Sequence, residues 1–167
     1  MTIQVASYLM GIPPGNTNSE KPTIIVNAIE GVWAAGDKGT IVTDYNVVDC
    51  DVAVMQGFVH PGSKNTKHLD LRKRVMEHQQ KRGKRTLIVD ANLFLYADPG
   101  NSNKFLRYSY DGIFPTTGEY CNGNPDPARW ELIKYRLGLE LKPWKTNGSV
   151  ILLCCQRDGG WSMDEQP

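Results

Sequence analysis

An acid and a carboxamide stand two residues apart where the apolar run Thr86-Leu87-Ile88-Val89 ends, in Val89-Asp90-Ala91-Asn92. A carboxylate at a strand terminus can take a proton from a hydroxyl or hold one by hydrogen bonding. Its competing use is to close the next turn onto its own backbone. A second group of reactive types lies in Arg107-Tyr108-Ser109-Tyr110-Asp111-Gly112-Ile113-Phe114-Pro115-Thr116-Thr117-Gly118-Glu119-Tyr120. Aromatic faces such as Tyr108 and Tyr120 stack on a polyol or a base, and Asp111 or Glu119 can accept hydroxyl protons. The same aromatics would serve equally as a cover over the core. Asp90, Asp111 and Glu119 are the candidate catalytic acids, with Asn92, Tyr108 and Tyr120 as candidate ligand contacts. Gly11 to Gly15, following one apolar segment, can offer backbone N–H groups to a phosphate or sugar. Pro13 and Pro14 have no N–H to donate, and the loop lacks both the dinucleotide and the P-loop glycine patterns. Arg157, in Gln156-Arg157-Asp158-Gly159-Gly160-Trp161, is placed to meet an anionic group.

The elements that must hold these groups alternate in type. Ile3 to Met10 reads as a strand entering a Gly/Pro/Asn loop. A helix is expected from Ser19, with Ile25, Ala28, Ile29, Val32 and Ala35 on one face and Gly36 at its end. Short strands follow at Thr40–Thr43 and Cys50–Met55. Asn65 to Arg82 reads as a second helix with a thin stripe of Leu69, Val75 and Met76, stopped by Gly83. Thr86–Asp90 is the most strand-like segment, and residues 97–124 read as a long connection. A third helix is expected from Asp126, burying Trp130, Ile133 and Leu137 and stopping at Gly138, with a last strand at Ser149–Cys155. Nearly all-apolar strands alternating with helices predict an α/β fold: a single Rossmann-like domain over residues 1–155, its mainly parallel sheet flanked by helices, with 156–167 as a glycine-rich crossover or tail. In such sheets ligands bind beyond the carboxyl ends of the strands, which selects the loops beginning at Gly11, Gln56, Asp90 and Gln156.

Composition narrows the classes of function. With 167 residues, 40% hydrophobic and 22% charged, the chain has ordinary globular proportions. Its longest apolar runs fall far short of the roughly 20 residues needed to cross a bilayer. The first residues resemble a strand and carry no basic leader, so no membrane association and a cytoplasmic location are expected. The four cysteines form no CxxC pair and the three histidines have no ligand spacing with them, so no metal site is expected. Net charge is +1, yet nine Lys or Arg lie between Lys64 and Arg85 against Asp70 and Glu77. A basic helix of this kind suits a phosphate backbone, through Lys67, Arg72, Lys73, Lys81 and Arg82. The competing reading is a solvated helix face. No aromatic residues or recognised nucleic-acid motif accompany it.

Several stretches also carry a resemblance. Lys67-His68-Leu69 with Arg72, Leu87-Ile88-Val89-Asp90-Ala91-Asn92-Leu93-Phe94, Tyr110-Asp111-Gly112-Ile113-Phe114 with Gly118-Glu119-Tyr120, and Leu152 to Met163 with Gln-Arg-Asp-Gly-Gly-Trp-Ser-Met resemble the N-terminal half of bacteriophage GT-B-like glycosyltransferases. The similarity spans roughly residues 40–163. It implies two Rossmann-like domains with the active site between them, a nucleotide-sugar donor held chiefly by the C-terminal domain, and no cofactor or metal. For a viral protein the location would be the host cytoplasm. The chain is then expected to be the acceptor-side domain, truncated or completed by a second domain or partner chain, with the Gln156–Ser162 loop opening the crossover. The alternative is a non-enzymatic binding module that uses the basic helix 64–85 to engage nucleic acid or an acidic host protein.

Overall fold

The structure is a computed structural model that describes residues 2–12, 20–59, 65–90, 106–114, 117–121 and 123–149. Strand β1 (Gln4–Tyr8) runs through a short 3-10 turn (Leu9–Gly11); then come α1 (Glu20–Ala34), β2 (Lys38–Val42), β3 (Val52–Gln56), α2 (Lys67–Lys81), β4 (Arg85–Asp90), β5 (Arg107–Tyr110) and α3 (Ala128–Leu137). The five strands among the described residues form one sheet in the order β2-β1-β3-β4-β5. The first four pair in parallel, and β5 runs antiparallel to β4. The fold is therefore the α/β, mainly parallel, Rossmann-like architecture that the alternating pattern predicts. Asp126 to Pro167 forms a compact unit separate from Met1 to Pro125.

Period-two alternation gives β1, β3 and β4 two covered faces. Ala6, Tyr8, Ala53 and Met55 meet Leu71 and Val75 of α2 on one face. Val5, Val54 and Val89 meet Ile29 of α1 on the other. Two polar side chains buried in β1 find bonds: Ser7 Oγ donates to Ile25 O at 2.9 Å, deep under α1. The Tyr8 hydroxyl donates to Val48 O at 3.3 Å and accepts from Val48 N at 3.1 Å, fastening the β2–β3 connection over the α2 face. Burial pushes the Tyr8 phenol up to about 12, so it stays protonated and able to donate at neutral pH. Tyr8→Phe, which leaves the Val48 N–H without its acceptor, is expected to lower unfolding free energy by about 1–2 kcal/mol in urea titration.

The helix ends follow local chemistry. Gly36, at φ 82°, terminates α1, and Gly138, at φ 60°, terminates α3, its two positions being those where the sequence places stops. Within α1, Ile25 and Ile29 are buried, Ala28 and Val32 are partly covered, and Ala35 is exposed beyond the helix end. In α3, Ile133 is buried while Trp130 and Leu137 are partly covered.

The inner face of α2 departs from expectation. It consists of Leu71, Arg72, Val75 and Gln79, with Leu69 and Met76 only partly buried. Residues 71, 75 and 79 recur at helical spacing, but two of the four buried side chains are polar, so a stripe judged by apolar type alone is set on the wrong angle. A second departure is β5, which lies in what reads as part of a long connection. The expected strand at Ser149–Cys155 and the 156–167 tail lie outside the described residues, apart from Ser149 itself.

The outer edge of the sheet at β2 carries one further contact. Lys38 N donates inward to Ile3 O, so Gly39 points its carbonyl away from the sheet, where Trp33 Nε1 donates to it at 3.1 Å.

Candidate functional site at the carboxyl edge of the sheet

From β1 the chain turns outward to β2, whereas from β3 it turns the other way to β4. The loops after β1 and β3 therefore diverge, and this change of direction opens the crevice in which α/β sheets hold ligands. Arg72 crosses it. Its guanidinium, reaching up from α2, donates through Nε to Gly11 O after β1 at 2.7 Å and reaches Phe58 O after β3 through Nη1 at 3.5 Å. Among the described residues Nη2 has no hydrogen-bond partner.

Space for the guanidinium is made by backbone. Gly57 sits at φ 81°, and a Cβ there would stand 2.7 Å from Arg72 Nη1. Gly57 N donates to Val89 O at 2.7 Å, which ties the turn after β3 to the end of β4. Only 6% of Arg72 is exposed. Burial pushes its guanidinium down to about 10, with the Asp90 carboxylate opposing the fall. A drop of that size corresponds to roughly 3 kcal/mol spent on keeping the cation charged at neutral pH.

Asp90 ends β4 on the α2 face of the sheet and is ion-paired to Arg107 Nη2, its direct partner across the antiparallel β4–β5 ladder. The edge thus carries two guanidinium groups around one carboxylate. Among the described residues two buried polar atoms at this end of the sheet have no hydrogen-bond partner: Arg107 Nε, beside Asp90, and the Oε1 of Gln56, the last residue of β3, which shares the α1 face with Val54 and Val89. An unsatisfied buried group of this kind costs about 1–3 kcal/mol. Orphaned groups at the ligand end of a sheet mark where a ligand's complementary atoms would be welcome.

The candidate acids separate. Asp111 and Glu119 both bind Arg85, at the opposite end of β4 from Asp90. Asp111 also accepts from Thr86 N at 2.8 Å, and Tyr110 and Glu119 exchange backbone bonds of 2.9 Å. The two ends are five residue steps apart, about 16 Å, so one acceptor group cannot meet all three acids. Asp111 and Glu119 join with Arg85, stacked 4.9 Å over Tyr110, to hold the turn after β5. The Tyr120 hydroxyl donates to Ile113 O within that turn, whereas Tyr108 is 45% exposed on β5. An open groove of about 370 Å³ at this amino edge is lined by Met76, Gln80, Gly83, Lys84, Arg85, Thr86 and Asp111. Gly15, Asn92 and Arg157 lie outside the described residues.

Most of the basic helix is answered locally. Arg74 binds Asp70 and Tyr45 O, Lys73 faces Glu77 at 4.0 Å, Arg82 lies 3.3 Å from Asp49, and Lys84 binds Asp51 at 2.7 Å. Hydrogen bonding by Lys84, then by Gln4 N, holds the Asp51 carboxyl below its ordinary range. Lys67 and Lys81 have no ion pair among the described residues. Arg72, counted with the outward charges in the sequence, faces inward.

Cys50 is buried and Cys121 exposed, and no cluster of metal-ligating side chains occurs among the described residues. Among those residues, too, no helix is long and apolar enough to cross a membrane. No family model matches the chain, and neither a curated protein nor a solved structure does.

Gln56, Gly57 and Arg107 were not singled out by sequence. The first two open a loop that the fold rule selects, but the pairing of Arg107 with Asp90 depends on an antiparallel register that no local signal announces.

Proposed function

We propose that the chain is the acceptor-side, Rossmann-like domain of a GT-B-type glycosyltransferase, and that its carboxyl edge takes an anionic, hydroxyl-bearing acceptor. The observation that carries this reading is Arg72, a buried cation laid across the crevice between the β1 and β3 loops with Asp90 beside it. A buried guanidinium that, among the described residues, meets carbonyls directly is costly to the free protein, and an incoming phosphate or carboxylate recovers that cost. Asp90, oriented by Arg107, would hold the acceptor hydroxyl. The nucleotide-sugar donor and the rest of the cleft would come from a second domain or chain.

The test is calorimetry with glucose 1-phosphate, with glucose, and with a short DNA duplex, on wild type and Arg72→Met. Glucose 1-phosphate should bind and glucose should not. The substitution should weaken binding about a hundredfold, the scale of losing a buried charge partner. Its urea midpoint should hardly move, because relief of the buried charge offsets the lost bond to Gly11 O. Equal affinity in the two proteins would overturn the reading. So would binding of DNA alone, with an affinity that falls steeply as salt rises, and that result would favour a nucleic-acid module using the Lys67 and Lys81 face.

A further inference from the structure

We infer that His68 is a ligand-binding residue at the mouth of the same crevice, placed to contact the phosphate of the ligand whose charge meets Arg72. The inference rests on the anion-site reading above and adds to it a second contact and a ligand class: a phosphate dianion, bound together with a proton. Helix geometry brings the two side chains to one place. At roughly 100° per residue, positions 68, 72, 75 and 79 of α2 fall within an arc of about 60°. The last three, Arg72, Val75 and Gln79, are buried against the sheet. His68 shares their bearing but stands one turn nearer the amino end of the helix, where it is only partly buried. Helical side chains lean toward that end, and residues four apart have Cβ atoms about 5–6 Å from each other. The Arg72 guanidinium leans the same way, since it reaches Gly11 O and Phe58 O, in the segments that follow β1 and β3. Imidazole and guanidinium therefore lie side by side beyond the carboxyl ends of the strands, the imidazole on the solvent side.

The surroundings of His68 favour its neutral form until an anion arrives. Thr66 Oγ1, an uncharged group, lies 3.2 Å from its Nδ1 and 3.3 Å from its Nε2. The charged groups that the described elements bring to this end are Arg72 on α2 itself, Asp90 at the end of β4, Arg107 at the start of β5 and Asp44 beyond β2. Asp90 is ion-paired to Arg107 and Asp44 binds Asn46. Lys67 is exposed, about 100° round the helix from His68. Burial, and next the Arg72 charge, hold the imidazole below the ordinary histidine range, so the ring is neutral at pH 7 in the free protein. A dianion seated on Arg72 reverses the local charge, and a neighbouring opposite charge favours the protonated ring. His68 then takes a proton from solvent and donates a charged hydrogen bond to the phosphate, stronger than a neutral one. A monoanionic carboxylate, balanced by Arg72 alone, leaves no such charge for an imidazolium to meet.

Imidazole NMR titrations of the full chain follow His68 and His78 side by side. With saturating glucose 1-phosphate the His68 midpoint should rise by about one unit or more, the usual effect of an opposite charge at close range. His78, held by Asp49 at 2.8 Å toward the other end of α2, should not move. Gluconate, a monoanion, should leave the His68 midpoint near its free value. Calorimetry then compares wild type with His68→Gln at pH 6 and pH 8, the ratio of affinities cancelling the ligand's own protonation. The variant should bind glucose 1-phosphate about tenfold more weakly at pH 6, for want of the charged bond, and nearly as wild type does at pH 8, where an amide donates as a neutral imidazole would. A His68 midpoint that moves no more than that of His78, an equal rise with gluconate, or a ratio near one at both pH values would overturn the inference. If wild type binds no glucose 1-phosphate, or Arg72→Met binds it as wild type does, the anion-site reading falls and takes this inference with it. If Arg72→Met weakens binding and the His68 readings are null, the inference alone fails.

Discussion

Gly57→Ala is expected to cost roughly 2–5 kcal/mol of stability and to weaken the binding of an anionic ligand as severely as loss of Arg72 does. Two effects add. The backbone there is left-handed, at φ 81°, which costs a residue with a Cβ about 1–2 kcal/mol. The new methyl would also stand 2.7 Å from Arg72 Nη1 and 3.1 Å from its central carbon. The guanidinium is the end of a long side chain and will move, but moving breaks its bond to Gly11 O, and the lost charged bond costs a further 1–3 kcal/mol, approximately. Urea unfolding and calorimetry with glucose 1-phosphate read the two parts separately. Gly57→Asn divides them further, since asparagine tolerates the left-handed region. It should recover about 1 kcal/mol relative to alanine while binding stays impaired. Unchanged stability and unchanged affinity in Gly57→Ala would contradict the role given to this turn.

The second large effect is expected at Gly112, where the obstacle is backbone and cannot swing away. A Cβ on Gly112 would press on the Thr117 carbonyl, 2.5 Å from its carbon, and lie 2.7 Å from Thr117 Oγ1. Gly118 meets the reverse side of the same approach, its Cβ position being 2.6 Å from Gly112 O. Two glycines thus let two passes of chain lie in contact where any side chain would part them. Around them, Thr117 N and Gly118 N both donate to Phe114 O, at 3.0 and 2.7 Å, and Ser109 Oγ donates to Gly112 O. Gly112→Ala should cost about 3 kcal/mol, toward the upper end for overpacking. The loss should be local: amide exchange at Tyr110 and Glu119 should accelerate while the β1 and β3 amides stay protected. Uniform acceleration through the sheet would show that the turn is part of the global folding unit.

Features set by neighbouring residues were legible in the sequence. Strands β3 and β4 carry apolar runs because both their faces are covered, and glycine ends α1 and α3 because a left-handed cap follows from one residue's freedom. β5 was hidden for the opposite reason. Arg107-Tyr108-Ser109-Tyr110 is a polar edge strand held by its partner, with neither an apolar run nor a tight turn to announce it. Asp90, Asp111 and Glu119 looked like one set because chain order says nothing about which end of a strand a returning segment reaches. Arg72 was concealed by its company: within Arg72-Lys73-Arg74 all three residues have the same chemistry, and only the angle around α2 sends the first beneath Gly57 while the others reach Glu77 and Asp70.

The bond from Trp33 to Gly39 has a consequence for how the protein keeps its own company. β2 is the outer parallel strand, and an outward carbonyl on such a rim is half of an invitation for another chain to lie alongside and extend the sheet. Trp33 closes that carbonyl with an indole from the same molecule and stands beside the rim, 53% exposed, as a bulky flank. One aromatic side chain, positioned by the last turn of α1, thereby spends a docking point that would otherwise promote stacking into fibres.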